Sequence, residues 1–358
     1  MASQDRNASA WLGLAQACRE RGDEPGRAAA IDKALGLEPR NIRGLIMKAD
    51  QLMATGDSRA ASAFYLAAVR TAAQTGSPPE LAPELQRAAR TCEQLAAAYG
   101  RYLRNRLAAA GFDPSRSSSR FAQSLDILTG QRRIYVQQPR YFYFPGLPQI
   151  QFHERADFPW LDGVERATAE IRLELLGILE DEELFAPYIQ GAADRPHKDQ
   201  DGMLNNRNWS ACYLWKNGEI VSDIAARCPR TLEALGNVPL ARIPNRSPSI
   251  LFSSLAPGAH IPPHNGLINA RLICHLPLIV PGRCRFRVGN ETREWVEGRA
   301  WLFDDTIEHE AWNDSDRLRV ILLFEVWRPE LTEEERRLIV ALFEAIDSHA
   351  GRKPEWEI

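Results

Sequence analysis

From Trp209 to Trp327 the chain offers eight short segments rich in β-branched and aromatic residues: NWSACYLW, SILFSSL, ARLICHLPLIV, CRFRVG, TREWVE, RAWLFDD, HEAWN and LRVILLFEVW. Gly, Pro, Asn or Asp punctuates the gaps between them, as turns between strands require. No helical periodicity is visible between these segments. Parallel strands need crossovers of a dozen or more residues, usually helical. The pattern therefore excludes a parallel α/β sheet and predicts an antiparallel jelly roll or barrel.

The first 110 residues have the opposite character. They are rich in Ala, Leu, Arg and Glu, and they repeat. Trp11-Leu12-Gly13-Leu14-Ala15 is echoed by Leu45-Ile46-Met47-Lys48-Ala49, a shift of 34 residues. Gly22 and Gly56, and Ala34 and Ala68, keep the same shift. A 34-residue period with a small residue at a helix contact and Gly at the turn resembles the tetratricopeptide repeat. Units are expected over about residues 7–40 and 41–76, with a helix over about 82–109 covering the exposed end. An unrelated α-hairpin bundle is the alternative. The fold class is thus α+β, with a helical repeat region at 1–110, a linker and short helix at 111–140, and a β domain with a C-terminal helix at 141–358.

The linker begins with GFDPSRSSSR, residues 111–120. The stretch RYFYFPGLPQIQFHERADFPW follows, and Pro145, Pro148 and Pro159 keep it from being a regular helix. It is expected to wrap against the β domain. Residues 162–180 read as an amphipathic helix with Ile171, Leu173, Leu175, Leu176 and Ile178 on its apolar face. At the C-terminus, Thr332 and Glu335 have capping-box spacing, and Leu338, Ile339, Leu342 and Ile346 form a stripe.

Bulk properties narrow the function. The net charge of −3 gives no general basic surface for nucleic acid. No apolar run approaches the roughly 18 residues that suggest a membrane span. The opening MASQDRNASA lacks the layout of a secretory signal, so a cytoplasmic location is expected. The six cysteines include no C-x-x-C pair and are expected to be small buried hydrophobes rather than a disulfide framework.

Seven histidines are the obvious metal candidates: His153, His197, His260, His264, His275, His309 and His349. His264 lies in IPPHNG, expected to be a loop stiffened by two prolines, and His309 lies in FDDTIEHEAWN at a strand start. An oxygen-activating iron(II) site normally combines two His and one carboxylate on one face. The carboxylate usually stands two residues after the first His, and here that position is Gly266. Either the chain holds no iron, with these histidines structural, or the site uses two His with water in the third place.

The surrounding text resembles the aspartyl/asparaginyl β-hydroxylase family. The resemblance rests on SSLAPGAHIPPHNGLINARLICHLPLIVP and on RVGNETREWVEGRAWLFDDTIEHEAWNDSDRLRVILLFEVWRPEL, and it covers about residues 140–331. It implies a double-stranded β-helix and an iron(II)/2-oxoglutarate-dependent dioxygenase using O2, with two His ligands and no carboxylate ligand. It makes His264 and His309 the iron ligands and Asp305 a nearby carboxylate that orients His309 or an iron-bound water. It makes Arg319, Ser253, His275 and Trp209 the cosubstrate pocket, with Arg319 pairing the far carboxylate of 2-oxoglutarate. Arg271 would bind a substrate carboxylate. The sequence departs from the family at Ile273, where a second arginine is expected, and this bears on substrate choice.

The implied function is hydroxylation of an Asp- or Asn-like residue, in a peptide or protein that the repeat region could help to bind. A related hydroxylase acting on a free amino acid or a lipid acyl chain, and a non-catalytic repeat scaffold, are the alternatives.

Overall fold

The computed structural model describes residues 7–191 and 202–350. His197 lies outside the described residues, as do the outermost parts of the ranges 1–110 and 141–358. Two compact units divide at Arg132 and Arg133, inside the segment read as a linker.

The first unit is helical: α1 (Ala8–Glu20), α2 (Glu24–Leu37), α3 (Ile42–Ala54), α4 (Ser58–Thr75), α5 (Ala82–Ala109) and α6 (Ser119–Leu128). The starts of α1 and α3 are 42 − 8 = 34 residues apart, and those of α2 and α4 are 58 − 24 = 34. Gly22 (φ 74°) and Gly56 (φ 84°) occupy the left-handed region between paired helices, where a side chain would be strained. Asp23 and Asp57 follow them and cap the next helices through the Gly26 and Ala60 amides, both at 2.9 Å. The period seen in the sequence is therefore the spacing of a repeated helix–turn–helix with its own stop and start signals.

The second unit is built on two antiparallel sheets. Its strands are β1 (Ala186–Pro187), β2 (Trp209–Lys216), β3 (Glu219–Ile220), β4 (Ile250–Leu255), β5 (His260–His264), β6 (Arg271–Ile279), β7 (Cys284–Val288), β8 (Glu291–Glu294), β9 (Trp301–Phe303), β10 (His309–Asn313) and β11 (Arg319–Trp327). The larger sheet runs β1-β2-β4-β11-β6-β9 with β3 beside β2, and the smaller runs β5-β10-β7-β8. Among the described residues the helices of this unit are α7 (Leu161–Arg166), α8 (Thr168–Leu179), α9 (Ser222–Arg227), α10 (Pro229–Ala234) and α11 (Glu333–Ala350).

The central strands are buried on both faces, and period-2 alternation splits them. Val320, Leu322, Phe324 and Val326 of β11 join Leu272, Cys274 and Leu276 of β6 in a core against Ile171, Leu175 and Ile178 of α8. Ile321 and Leu323 of β11 and Ile273 of β6 face the other way, into a second core shared with Phe286, Val288 and Ala311 of the small sheet. The site occupies the middle of this second core.

Several expectations need correction. His264 ends a strand rather than lying in a loop. Pro262 and Pro263 hid that strand, yet they are tolerated because β5 is an edge of the small sheet. Two short helices, α9 and α10, intervene between β3 and β4. Leu173 and Leu176 point outward from α8, 69% and 44% exposed, because its buried stripe is Ile171, Leu175 and Ile178. Leu338 and Leu342 are likewise exposed on α11, whose buried residues are Ile339 and Phe343. The Thr332–Glu335 capping box forms reciprocally, at 2.7 and 3.2 Å.

The aromatic, Pro-rich segment wraps the β unit. Gln138, Arg140 and His153 donate their amides to the Thr306, Gly266 and Leu302 carbonyls at 2.7, 3.0 and 3.0 Å. His153 ends in a buried place with Nε2 3.5 Å from Arg328 Nη2. Burial, helped by the Arg328 charge, lowers its pKa to about 3. The unfolded chain takes up this proton below about pH 6.5 and the folded chain does not, so stability falls as pH drops through that window toward 3. In His153→Gln the dependence of unfolding free energy on pH between 6 and 4 is expected to be shallower by about 1.4 kcal/mol per pH unit. Denaturant unfolding at several pH values checks this, and an unchanged slope contradicts it.

The six cysteines are free, and Cys212, Cys228, Cys274 and Cys284 are buried. No described helix is long and apolar enough to cross a membrane.

Candidate active site

Strand parity assembles the site. On β11 the inward positions are Arg319, Ile321, Leu323 and Glu325. On β6 they are Arg271, Ile273 and His275. Register sets Glu325 opposite Ile273 and Leu323 opposite His275. These residues line one cavity together with Ser253 of β4, Trp209 of β2, and His264 and His309 of the small sheet. Its middle is apolar, with Ile273, Ile321, Ile261 and Ala311, and its two ends are polar.

His264 and His309 are register partners on β5 and β10. Their ring centroids lie 4.1 Å apart. Nδ1 of His264 faces the Pro262 carbonyl at 2.8 Å, and Nδ1 of His309 faces the Ile307 carbonyl at 3.1 Å. These bonds assign the ring proton to Nδ1 and leave the Nε2 lone pair for a ligand. Desolvation lowers both pKa values, that of His309 further, and the neighbouring ring lowers His309 again. Both imidazoles are thus neutral at pH 7, the state a metal needs. Trp209 stacks on Tyr188 at 4.1 Å and stands 5.7 Å from the His264 ring. Among the described residues no group of three His, Cys, Asp or Glu side chains is arranged to hold a metal ion.

The carboxylate missing at position 266 has a counterpart elsewhere. A Cβ placed on Gly266 would lie 2.0 Å from Asp305 Oδ2. The Asp305 side chain therefore occupies the space a third ligand at 266 would take, and only glycine fits beside it. Asp305 is 6% exposed, and Oδ1 has no hydrogen-bond partner among the described residues. Burial raises its pKa to about 6 against the opposing pull of Arg271.

Arg271, to which the resemblance gives a substrate carboxylate, already faces two carboxylates of its own chain. Nη1 donates to Asp305 Oδ2 at 2.9 Å, and Nε lies 2.9 Å from Glu325 Oε1. The second contact is close enough for an ion pair but not aligned as a hydrogen bond. Burial opposes the charge on Arg271, and the two carboxylates more than restore it, so its pKa is raised.

Arg319 has no such partner. It is 1% exposed, and no ion pair to it occurs among the described residues. Nη1 donates to the Ser253 carbonyl at 3.3 Å, Nε has no hydrogen-bond partner among the described residues, and the guanidinium lies 4.7 Å over the Trp295 ring. Burial pulls its pKa down to about 10, which still leaves it charged at pH 7. The Ser253 hydroxyl accepts from Trp209 Nε1 at 3.2 Å, so its own proton is free to donate inward. His275 is buried between Phe303 and Phe286, with Nδ1 unpartnered and its pKa pushed well down by burial. A buried, unpaired cation is costly unless an anion completes it.

Two charged lining residues escaped the sequence reading. Glu325 carries the right parity signal, a lone carboxylate at an inward position of an apolar strand. Arg140 lines this cavity and also a neighbouring one formed with Met203, Pro262, Pro263 and Asn265, and its charge helps lower the His264 pKa. Nothing in its local sequence marks it.

Residues 165–329 match the family described as aspartyl/asparaginyl beta-hydroxylase. Several relatives with matching sequence are named as hydroxylases. The human aspartyl/asparaginyl beta-hydroxylase is 36% identical over 145 residues, 40% of this chain and 19% of that protein. The human aspartate beta-hydroxylase domain-containing protein 2 is 30% identical over 212 residues, 58% of this chain and 55% of its own. An ornithine lipid ester-linked acyl 2-hydroxylase from Rhizobium tropici is 33% identical over 181 residues, 49% of this chain and 60% of its own. The chain thus spans from about a fifth to three fifths of these hydroxylases.

Proposed function

We propose that this chain is an iron(II)/2-oxoglutarate-dependent hydroxylase acting on an Asp- or Asn-like residue of a peptide or protein. The observation that carries the proposal is the buried, unpaired guanidinium of Arg319 in the same cavity as two neutral imidazoles. His264 and His309 fit a divalent metal, because each turns Nδ1 to a backbone carbonyl and so offers Nε2 as the ligating nitrogen. Arg319 fits the far carboxylate of 2-oxoglutarate, since its planar fork can meet both oxygens. When bound, iron(II), 2-oxoglutarate and O2 supply the oxidising chemistry that places a hydroxyl on an unactivated carbon.

The protein's part is positional. Arg319 and the Ser253 hydroxyl set the orientation of the dicarboxylate. Trp295, Phe286 and Ile321 line the cavity with apolar surface, which strengthens the charge–charge contact by excluding water. Strands β5 and β10 fix the two imidazoles through direct pairing, so the metal-binding face is rigid. Asp305 places an acceptor beside it.

A second reading, hydroxylation of an uncharged acyl chain, is favoured by Ile273 in the apolar middle of the cavity and by the engagement of Arg271 with Asp305 and Glu325. The repeated helix pairs of the first unit are read as tetratricopeptide-like. Their cavity of about 1220 Å³, lined by Arg40, Arg43, Met47 and Arg87 among others, supports a peptide partner.

Succinate formation from 2-oxoglutarate by the iron-loaded chain tests the assignment. Arg319→Met is expected to raise the KM for 2-oxoglutarate by about 100-fold, the scale of losing one partner of a buried charge pair. An unchanged KM would place the dicarboxylate elsewhere.

A further inference from the structure

We infer that Glu325 is a positioning residue, which acts through Arg271 to hold the Asp305 carboxylate beside the imidazole pair. The inference rests on the iron-site reading above. Glu325 is 6% exposed in a strand whose other inward residues between Arg319 and Trp327 are apolar. Its Oε2 is clamped by the Ser247 hydroxyl at 2.6 Å and the Ser249 amide at 2.8 Å. Its Oε1 lies 2.9 Å from Arg271 Nε, and Arg271 Nη1 reaches Asp305 Oδ2 at 2.9 Å. Asp305 in turn fills the gap at Gly266, four residues before His309. The chain of contacts thus runs from the Ser247–Ser249 turn, across two adjacent strands, to the metal-binding face.

Charge explains why the chain ends on a second carboxylate. Asp305 alone would neutralise Arg271. Glu325 adds a second carboxylate to the same guanidinium, so two carboxylates face one cation in a buried place. This crowding of carboxylates is unfavourable by itself. It is compensated when a divalent cation sits on two neutral imidazoles that bring no charge of their own. The carboxylate absent at position 266 is replaced by charge from a second layer, and Glu325 fixes where that charge stands. Groups of this kind tune metal affinity without touching the metal.

The test uses the full chain with Glu325→Gln, Glu325→Asp, Asp305→Asn and the double variant Asp305→Asn/Glu325→Gln. Iron(II) affinity is titrated anaerobically, 2-oxoglutarate turnover is resolved into kcat and KM, and thermal midpoints are recorded. Glu325→Gln is expected to weaken iron binding by about 10-fold and to lower kcat, with the KM for 2-oxoglutarate within about two-fold, because the Arg319 end is untouched. Glu325→Asp restores most of the loss. In the Asp305→Asn background, Glu325→Gln changes iron affinity by less than about two-fold, since residues acting through one another are not additive. Ser247→Ala releases one clamp while keeping the charge. It carries the test if Glu325→Gln does not fold, with an expected loss of about three-fold that also vanishes with Asp305→Asn. Losses that multiply in the Asp305→Asn background, or a lowered thermal midpoint with unchanged iron affinity, overturn the role of Glu325 alone. Failure of the unaltered chain to bind iron overturns the iron-site reading and this role with it.

Discussion

Replacing His309 with alanine is expected to take 2-oxoglutarate turnover to background, a loss of more than about 100-fold and so beyond the range of residues that only surround a metal. His309 is buried, its ring is neutral, and its Nδ1 faces the Ile307 carbonyl, which makes Nε2 the ligating nitrogen of the proposed site. Alanine leaves a single imidazole, His264, on a face to which no other described side chain contributes a ligand. The ring also packs against Phe303 and Phe286, at 5.6 and 5.8 Å. Some stability is therefore lost with activity, so the variant's circular dichroism and thermal midpoint must be read beside its succinate yield. A folded His309→Ala chain that still consumes 2-oxoglutarate contradicts the ligand assignment.

The second large effect concerns the residue next to Asp305. Asp304 and Arg328 are both fully buried and pair at 2.9 Å. Asp304 also accepts from Gln137 Nε2 at 2.6 Å, from the Thr306 amide at 3.0 Å and from the Thr306 hydroxyl at 2.6 Å. Arg328 donates to the Pro148 carbonyl at 3.0 Å. The pair thus ties the wrapped segment, the end of β11 and the turn between β9 and β10 to one point. Asp304→Ala removes the fully buried partner of Arg328 and leaves only the part-exposed Glu330 carboxylate, 3.5 Å from its Nε, and breaking such a buried pair costs about 3 kcal/mol. In a unit of this size that corresponds to a fall of about 10 °C in thermal midpoint. Denaturant unfolding measures it, and a loss under about 1 kcal/mol would show that water reaches the Arg328 charge.

The sequence reveals most where one rule decides the outcome. Short β-branched segments with turn residues between them gave the strands of the second unit, and the 34-residue echo gave the helix spacing of the first. It misled where two rules compete. Pro262 and Pro263 argue against a strand, but an edge position removes the objection. Leu173 and Leu338 extend an apolar pattern without lying on the buried face, since a helix of this kind packs only a narrow stripe. Residue identities at the proposed metal-binding face came from a resemblance, and spacing alone could not have chosen His264 and His309 among seven histidines. The partners of Arg271 and the lack of one for Arg319 depend on register between β6 and β11, which no local pattern encodes. Parity was the available clue: Arg319 and Glu325 share one face of an otherwise apolar strand, which marks that face as more than core.

The central claim is most directly tested by anaerobic titration of the metal-free chain with iron(II), with His264→Ala and His309→Ala titrated alongside. One iron per chain, lost in both variants, is the result predicted here. No uptake by the unaltered chain, or uptake that survives both substitutions, would contradict it.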